Sequence, residues 1–288
     1  MTSLFKKQKN YANIYTVMSY TPLKKKFKTS FGLVDIVDMY REDEGEWVRL
    51  LLVDRAQESA SYVEEEKRNE LYFKYMRALS NSLEYFVKEA KERNDDIKDI
   101  LLIGGGGFSF PKYVMSHYES LNMDVVELYE EMLDYALDYF YLKDLIEDYG
   151  LIKHKRLNII IGDAVKFISR PGKKYDIIIN DAFHGETPNQ DMLTPRAVEN
   201  IKAHLSANGV YMINLITGIE GYHSMAGIVT EKVLERFFKC VRSFPVLPCR
   251  DKKDKQNVIY IATDNEAKVN GTDFEKEFYK CIKQRQTI

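Results

Sequence analysis

Cysteine is scarce: the 288-residue chain has three, Cys240, Cys249 and Cys281, an odd number with no C-x-x-C spacing. That excludes a disulfide framework and a zinc ribbon, and it sets a reducing cytoplasm as the expected location. Long hydrophobic runs are missing too. The first 15 residues, MTSLFKKQKNYANIY, lack the apolar core of a signal peptide, and no stretch approaches the roughly 18 apolar residues of a membrane span. A soluble protein with no membrane partner is expected. With 15 Gly and 7 Pro the composition is neither collagenous nor low-complexity, and 45% apolar against 30% charged residues excludes disorder. Charge of one sign is also lacking. Forty-two Lys plus Arg against 44 Asp plus Glu leave a formal charge of -2, so no global field draws in nucleic acid. Any partner must be read from a local site.

The chain changes character near residue 98. Before it, the β-rich runs 33–39 and 47–53 flank a charged segment with Gly45, which reads as a hairpin. The basic cluster 24–28 reads as a solvated tail. From 64 to 93 there is no Gly or Pro, and Leu71, Tyr75, Leu79, Leu83, Phe86 and Val87 recur at helical spacing, so one long or broken helix leads onward. After Asp99, apolar strands at 100–103, 125–128, 157–161, 175–179, 210–213 and 258–262 alternate with helical patterns near 111–121, 130–141, 164–168, 195–205 and 225–238. Such apolar strands require a parallel sheet with helices on both faces. The expectation is an α/β protein: a small N-terminal β-rich domain with a connecting helix over 1–98 and a Rossmann-like nucleoside-binding domain over 99–288.

Chemistry concentrates in four segments. In DILLIGGGGFSF, a strand runs into Gly104, Gly105, Gly106 and Gly107, a turn that lets backbone approach a ligand and leaves helix N-terminal amides to hold it. Ser109 stands where G-x-G-x-x-G needs its third Gly, which argues against a nicotinamide dehydrogenase. Glu127 follows 20 residues after Gly107 at the end of the next strand, where a carboxylate can accept from two ribose hydroxyls. In GDAVKFI, Asp163 and Ala164 follow the third strand, and Asp163 either accepts from an adenine amino group or caps the next helix. In YDIIINDAFHGETP, a strand delivers Asn180, Asp181 and His184 to the carboxyl edge of the sheet; Asp181 is the candidate catalytic carboxylate. His184 is a second catalytic candidate as general base, or else a pocket-lining residue. The other four histidines have no metal-ligand spacing, so no metal is expected. Phe108, Phe110, Phe183, Tyr72 and Tyr75 are candidates to sandwich adenine or enclose a cation.

The order GGGG, VELYEEML, GDAVKFI, YDIIINDAFHGETP and LTPRAVENIKAHLSANGVYMIN resembles the spermidine synthase family of aminopropyltransferases over roughly residues 47–263. The resemblance implies an S-adenosylmethionine-dependent transferase fold binding S-adenosylmethionine or its decarboxylated form. It implies ribose at Glu127, adenine at the Gly-Asp pair ending in Asp163, and amine activation at Asp181. A homodimer and a small-molecule, possibly amine, substrate come with it by resemblance only. The departures fall where the transferred group is chosen. The family turn reads Gly-Gly-Gly-Asp-Gly-Gly, its Asp pairing with the aminopropyl ammonium, where this chain has Gly107, Phe108 and Ser109. The family loop reads Asp-Ser-Ser-Asp where this chain has Asp181, Ala182, Phe183 and His184. The family's ribose-binding Gln aligns with Glu58, with Gln57 beside it. Three readings therefore stay open: a spermidine synthase-like alkyl transferase, a methyltransferase using intact S-adenosylmethionine, and a nucleoside-binding protein without turnover.

Overall fold

The computed structural model describes residues 20–184, 187–265, 269 and 272–283. An antiparallel sheet comes first, in the order β1 (Lys24–Thr29), β2 (Gly32–Arg41), β3 (Glu46–Val53) and β4 (Ala56–Tyr62). The hairpin of β2 and β3 is the one its apolar runs predict. The basic cluster is not a tail: it is edge strand β1, paired with β2 in register Phe27 to Val34. Alternation explains this. Lys24, Lys26 and Lys28 remain exposed and discourage edge-to-edge pairing, while Phe27 turns inward 4.8 Å from the Tyr135 ring.

Helix α1 (Lys74–Glu92) follows one turn of 3-10 helix, so the helical pattern from 64 to 93 is broken. Its face of Leu79, Leu83, Phe86 and Ala90 is buried in the same core as Ile100, Leu102, Phe274 and Phe278. The connecting helix therefore packs as a layer on the second sheet.

That sheet has seven strands in the order β12-β13-β11-β8-β5-β6-β7. They are β5 (Asp99–Ile103), β6 (Asn122–Glu127), β7 (Leu157–Ile161), β8 (Tyr175–Asn180), β11 (Leu205–Thr217), β12 (Cys240–Pro245) and β13 (Gln256–Thr263). A two-residue hairpin, β9 (Phe183–His184) and β10 (Thr187–Pro188), follows β8. The strands from β7 to β11 are parallel, and β13 and β12 are antiparallel. Helices α2 (Ser109–His117), α3 (Glu130–Tyr139), α4 (Leu142–Asp148), α5 (Ala164–Ile168), α6 (Pro195–His204), α7 (Met225–Glu235), α8 (Thr272–Phe278) and α9 (Lys280–Lys283) accompany them. Isoleucines 177, 178 and 179 of β8 are all fully buried, because a parallel sheet covered on both faces leaves no strand face to water. Strand β12, with only Cys240, Val241 and Phe244 as apolar guides, carries too weak a pattern to be seen in sequence.

The two sheets share an interface. Phe31 stacks on Tyr129 at 4.3 Å, and Ser109 Oγ at the start of α2 donates to the Ala60 carbonyl at 2.7 Å. Lys112, buried in α2, donates to Ser61 Oγ at 2.8 Å and to the Arg68 carbonyl at 2.7 Å. The N-terminal sheet is thereby held against the end of the larger sheet that carries the glycine turn. Among the described residues no helix is long and apolar enough to cross a membrane.

Candidate functional site

Strand order reverses between β5 and β8, the place where open α/β sheets form a ligand crevice. Both strands end there in the residues of interest. The Asp181 amide donates to the Ile103 carbonyl at 2.9 Å, which sets Asp181 beside Gly104. A Cβ on Gly104 would lie 2.6 Å from the Asp181 carbonyl oxygen, and Gly104 has φ +92, so only glycine lets the two strand ends meet.

The Asp181 carboxyl is held from two sides. Asn214 Nδ2 on β11 donates to Oδ1 at 2.8 Å, and the Tyr75 hydroxyl on α1 donates to Oδ2 at 3.2 Å. Asn257 Nδ2 on β13 in turn donates to Asn214 Oδ1 at 3.0 Å, fixing the amide so that its NH2 points at the carboxyl. Burial pushes Asp181 up to about 7 against the pull of both donors. Tyr75 was legible only as an aromatic candidate, and Asn214 carried no motif signal; the sheet order alone brings it to Asp181.

Glu127 ends β6 and does more than face the turn. Its Oε2 accepts from the Gly105 amide at 2.7 Å and the Gly106 amide at 3.1 Å, and its Oε1 accepts from the Tyr129 amide at 3.0 Å. Two amides expected to be open to a ligand are thus committed to holding Glu127. A carboxylate offers about four acceptor positions, so three are taken and one remains.

The next carboxylate arrives through a β-bulge. Leu51 pairs with Ser59 and Leu52 with Gln57, so Glu58 is the extra residue on β4. The bulge sends Gln57 to solvent and Glu58 inward, settling which of the two faces the cleft. Glu58 Oε1 is buried with no hydrogen-bond partner. Burial, then the charges of Asp181 and Glu127, push Glu58 up to about 7. The same strand closes the turn: a Cβ on Gly107 would lie 2.6 Å from Ser59 Oγ and 2.8 Å from Ser59 Cβ. Ser59 and Ser109 share a hydrogen bond at 3.1 Å there. No acidic side chain fits at position 107 while Ser59 stays where it is.

Asp163 caps α5, its Oδ1 accepting from the Val165 and Lys166 amides at 2.8 and 3.2 Å, with Ala164 as the first helical residue. The capping alternative is therefore realised, and Oδ2 lies outside those two bonds. Phe108 and Phe110 do not line a cleft. They are buried in the main core, because Phe108 adopts φ +57 and turns its ring under the glycine turn. Tyr72 packs on Tyr62 and Phe73 beside the N-terminal sheet. The His184 backbone pairs with Thr187, and its side chain lies outside the described residues.

Sheet order, glycine turn, strand-end acid and N-terminal sheet together define a Rossmann-like domain of the S-adenosylmethionine-dependent methyltransferase fold. Residues 77–249, more than half of the chain, match the model of the spermine/spermidine synthase domain, and the chain belongs to that family. The polyamine aminopropyltransferase of Buchnera aphidicola is 28% identical over 150 residues, 51% of this chain and 50% of that protein. The chain spans about half the length of the curated relatives it matches. A probable spermidine synthase from Corynebacterium glutamicum has a TM-score of 0.71 at 20% identity, covering 92% of this chain and 96% of that one. Human methyltransferase-like protein 13, solved with SAH, has a TM-score of 0.55 at 18% identity, covering 74% of this chain and 92% of that one. At these identities the two structures show a common fold.

Proposed function

We propose that this chain is a transferase that binds an S-adenosyl sulfonium nucleoside and moves an alkyl group from its sulfur to an amine nitrogen. The observation that carries this is Asp181, buried beside the glycine turn at the sheet reversal and aimed by Tyr75 and Asn214. The residues fit such a ligand. A Cβ on Gly106 would meet only the Glu58 carbonyl, at an ordinary contact distance of 3.8 Å, so the turn is not closed there as it is at Gly107. Glu127 keeps one acceptor position for a ribose hydroxyl, Glu58 Oε1 is unpartnered, and Asp163 keeps Oδ2 outside its capping bonds, free to accept from an adenine amino group.

The sulfonium supplies an electrophilic carbon and a neutral thioether leaving group. This chain's residues supply position and a proton acceptor. As the N–C bond forms and the C–S bond breaks, the electron pair leaves with sulfur and the amine's surplus proton passes to Asp181. A carboxyl near 7 is suited to accept that proton at neutral pH. Alignment of nucleophile, carbon and sulfur in a buried cleft supplies most of the rate. Family membership and its aminopropyltransferase relatives support aminopropyl transfer from the decarboxylated nucleoside.

A second reading, methyl transfer from intact S-adenosylmethionine, is favoured by one observation. Ser59 closes position 107 to an acid, so the turn has no carboxylate to repel the methionine carboxylate. Calorimetry with both nucleosides, followed by product analysis with putrescine as acceptor, decides between the readings. Tighter binding of the decarboxylated form with aminopropyl product sinks methyl transfer, and the reverse pattern sinks aminopropyl transfer. Nucleoside binding with no turnover on any amine would overturn the transfer reading altogether.

A further inference from the structure

Glu58 is the one cleft carboxylate with a buried oxygen that nothing in the described structure satisfies. The charged groups acting on it are Asp181 from β8 and Glu127 from β6, both acidic, and the neutral Tyr75 hydroxyl on α1 stands across the same space. Glu58 is half-buried, and a carboxylate oxygen shut off from water beside two other acids is unfavourable unless a proton or a cation joins it. The neighbouring carboxylates have their own partners: Glu127 holds three amides, and Asp181 holds an amide nitrogen and a hydroxyl. The turn, closed by Ser59 at Gly107, brings no acid of its own. Glu58 on β4 therefore brings the one carboxylate oxygen among the three that is buried and wholly unpartnered.

Resting on the sulfonium-nucleoside reading above, we infer that Glu58 is the specificity-determining residue that selects an alkylammonium group, its unpartnered Oε1 accepting from that cation beside Asp181. The group comes either with the donor, as the amine of its side chain, or with the acceptor. A cation at Oε1 favours the ionised form of Glu58, so the proton that burial and the neighbouring acids hold on it near neutrality is released to buffer.

The experiment is calorimetry at pH 7 in two buffers of different ionisation enthalpy, on wild type, Glu58→Gln and Glu58→Asp. Decarboxylated S-adenosylmethionine probes the donor, putrescine added to enzyme saturated with methylthioadenosine probes the acceptor, and methylthioadenosine alone is the uncharged control with the same ribose. The amide of Glu58→Gln keeps an oxygen for a ribose hydroxyl and loses only the charge. Expected is a loss of tenfold or more in affinity for one cationic probe, less than a twofold change for methylthioadenosine, and a smaller buffer-dependent proton release, the remainder belonging to Asp181. Glu58→Asp keeps the release, which separates charge from folding. An equal loss for methylthioadenosine would make Glu58 a ribose contact and overturn the inference, as would unchanged affinities throughout. Nucleoside binding without turnover would overturn the transfer reading alone, and no nucleoside binding by wild type would overturn both.

Discussion

Asp181→Asn gives the most direct physical test of the site, through stability as well as turnover. Asp181 ordinarily ionises at 3.8, and burial moves it to about 7. The native state therefore keeps its proton up to about pH 7, while the unfolded chain releases it from about 3.8. Native protein binds more protons across that window, so its stability falls as pH rises through it and is fully reduced above about pH 7. The whole effect is roughly 4 kcal/mol by the standard conversion. Glu58 acts in the same sense between 4.5 and about 7. Its share is not additive, because the Asp181 charge is among its causes. Between pH 5 and 7.5 the part due to Asp181 is roughly 2–3 kcal/mol, or about 3–5 °C in Tm for a chain of this size. Asparagine at 181 removes the ionisation and retains an oxygen for Asn214, while the Tyr75 hydroxyl can reorient to accept. The assay is thermal unfolding of ligand-free protein followed by circular dichroism, since the single tryptophan, Trp47, reports on the N-terminal sheet. The variant should be more stable than wild type at pH 7.5 and close to it at pH 5, while losing turnover. A difference in Tm that does not change with pH would refute the buried-charge argument.

Lys112 should act in the adjoining pH range and with the opposite slope. Burial, then Arg68 and Arg49, push it down to about 7, so the unfolded chain holds its proton longer and stability rises with pH above about 7. Lys112→Met should flatten that rise between pH 7 and 9, and a retained slope would assign it elsewhere. Gly107→Asp should destabilise by about 1–3 kcal/mol through overpacking against Ser59, and Ser59→Gly in the same chain should restore most of the loss in urea unfolding. No recovery in the double variant would show that the clash lies elsewhere. Glu127→Ala leaves the amides of Gly105, Gly106 and Tyr129 without their acceptor, so it should lower stability by about 1–3 kcal/mol and weaken methylthioadenosine binding. Unchanged affinity for that nucleoside would remove Glu127 from the ribose site.

The parallel strands of the larger sheet are legible in the sequence, since each is an apolar run between helical patterns. The sequence also brought Gly104, Glu127, Asp163 and Asp181 to strand ends, because a motif that ends a parallel strand ends at the crevice. Local pattern was a poorer guide where one residue decides direction. Lysines 24, 25, 26 and 28 hide a strand whose inward face is mainly Phe27, and Phe108 and Phe110 read as free aromatics until a left-handed residue buried them. Tertiary structure alone decided three things: Asn214 meets Asp181, because β8 and β11 are neighbours; a bulge in β4 turns Glu58 rather than Gln57 into the cleft; and Ser59 keeps Gly107 from being an acid. Each of these depends on what lies opposite in space, across a pairing between strands far apart or adjacent in a bulged register, and side-chain period carries no record of it. The near-neutral composition shows the same division. A net charge of -2 is legible in the sequence, but the gathering of Glu58, Glu127 and Asp181 around one cleft is a property of the fold.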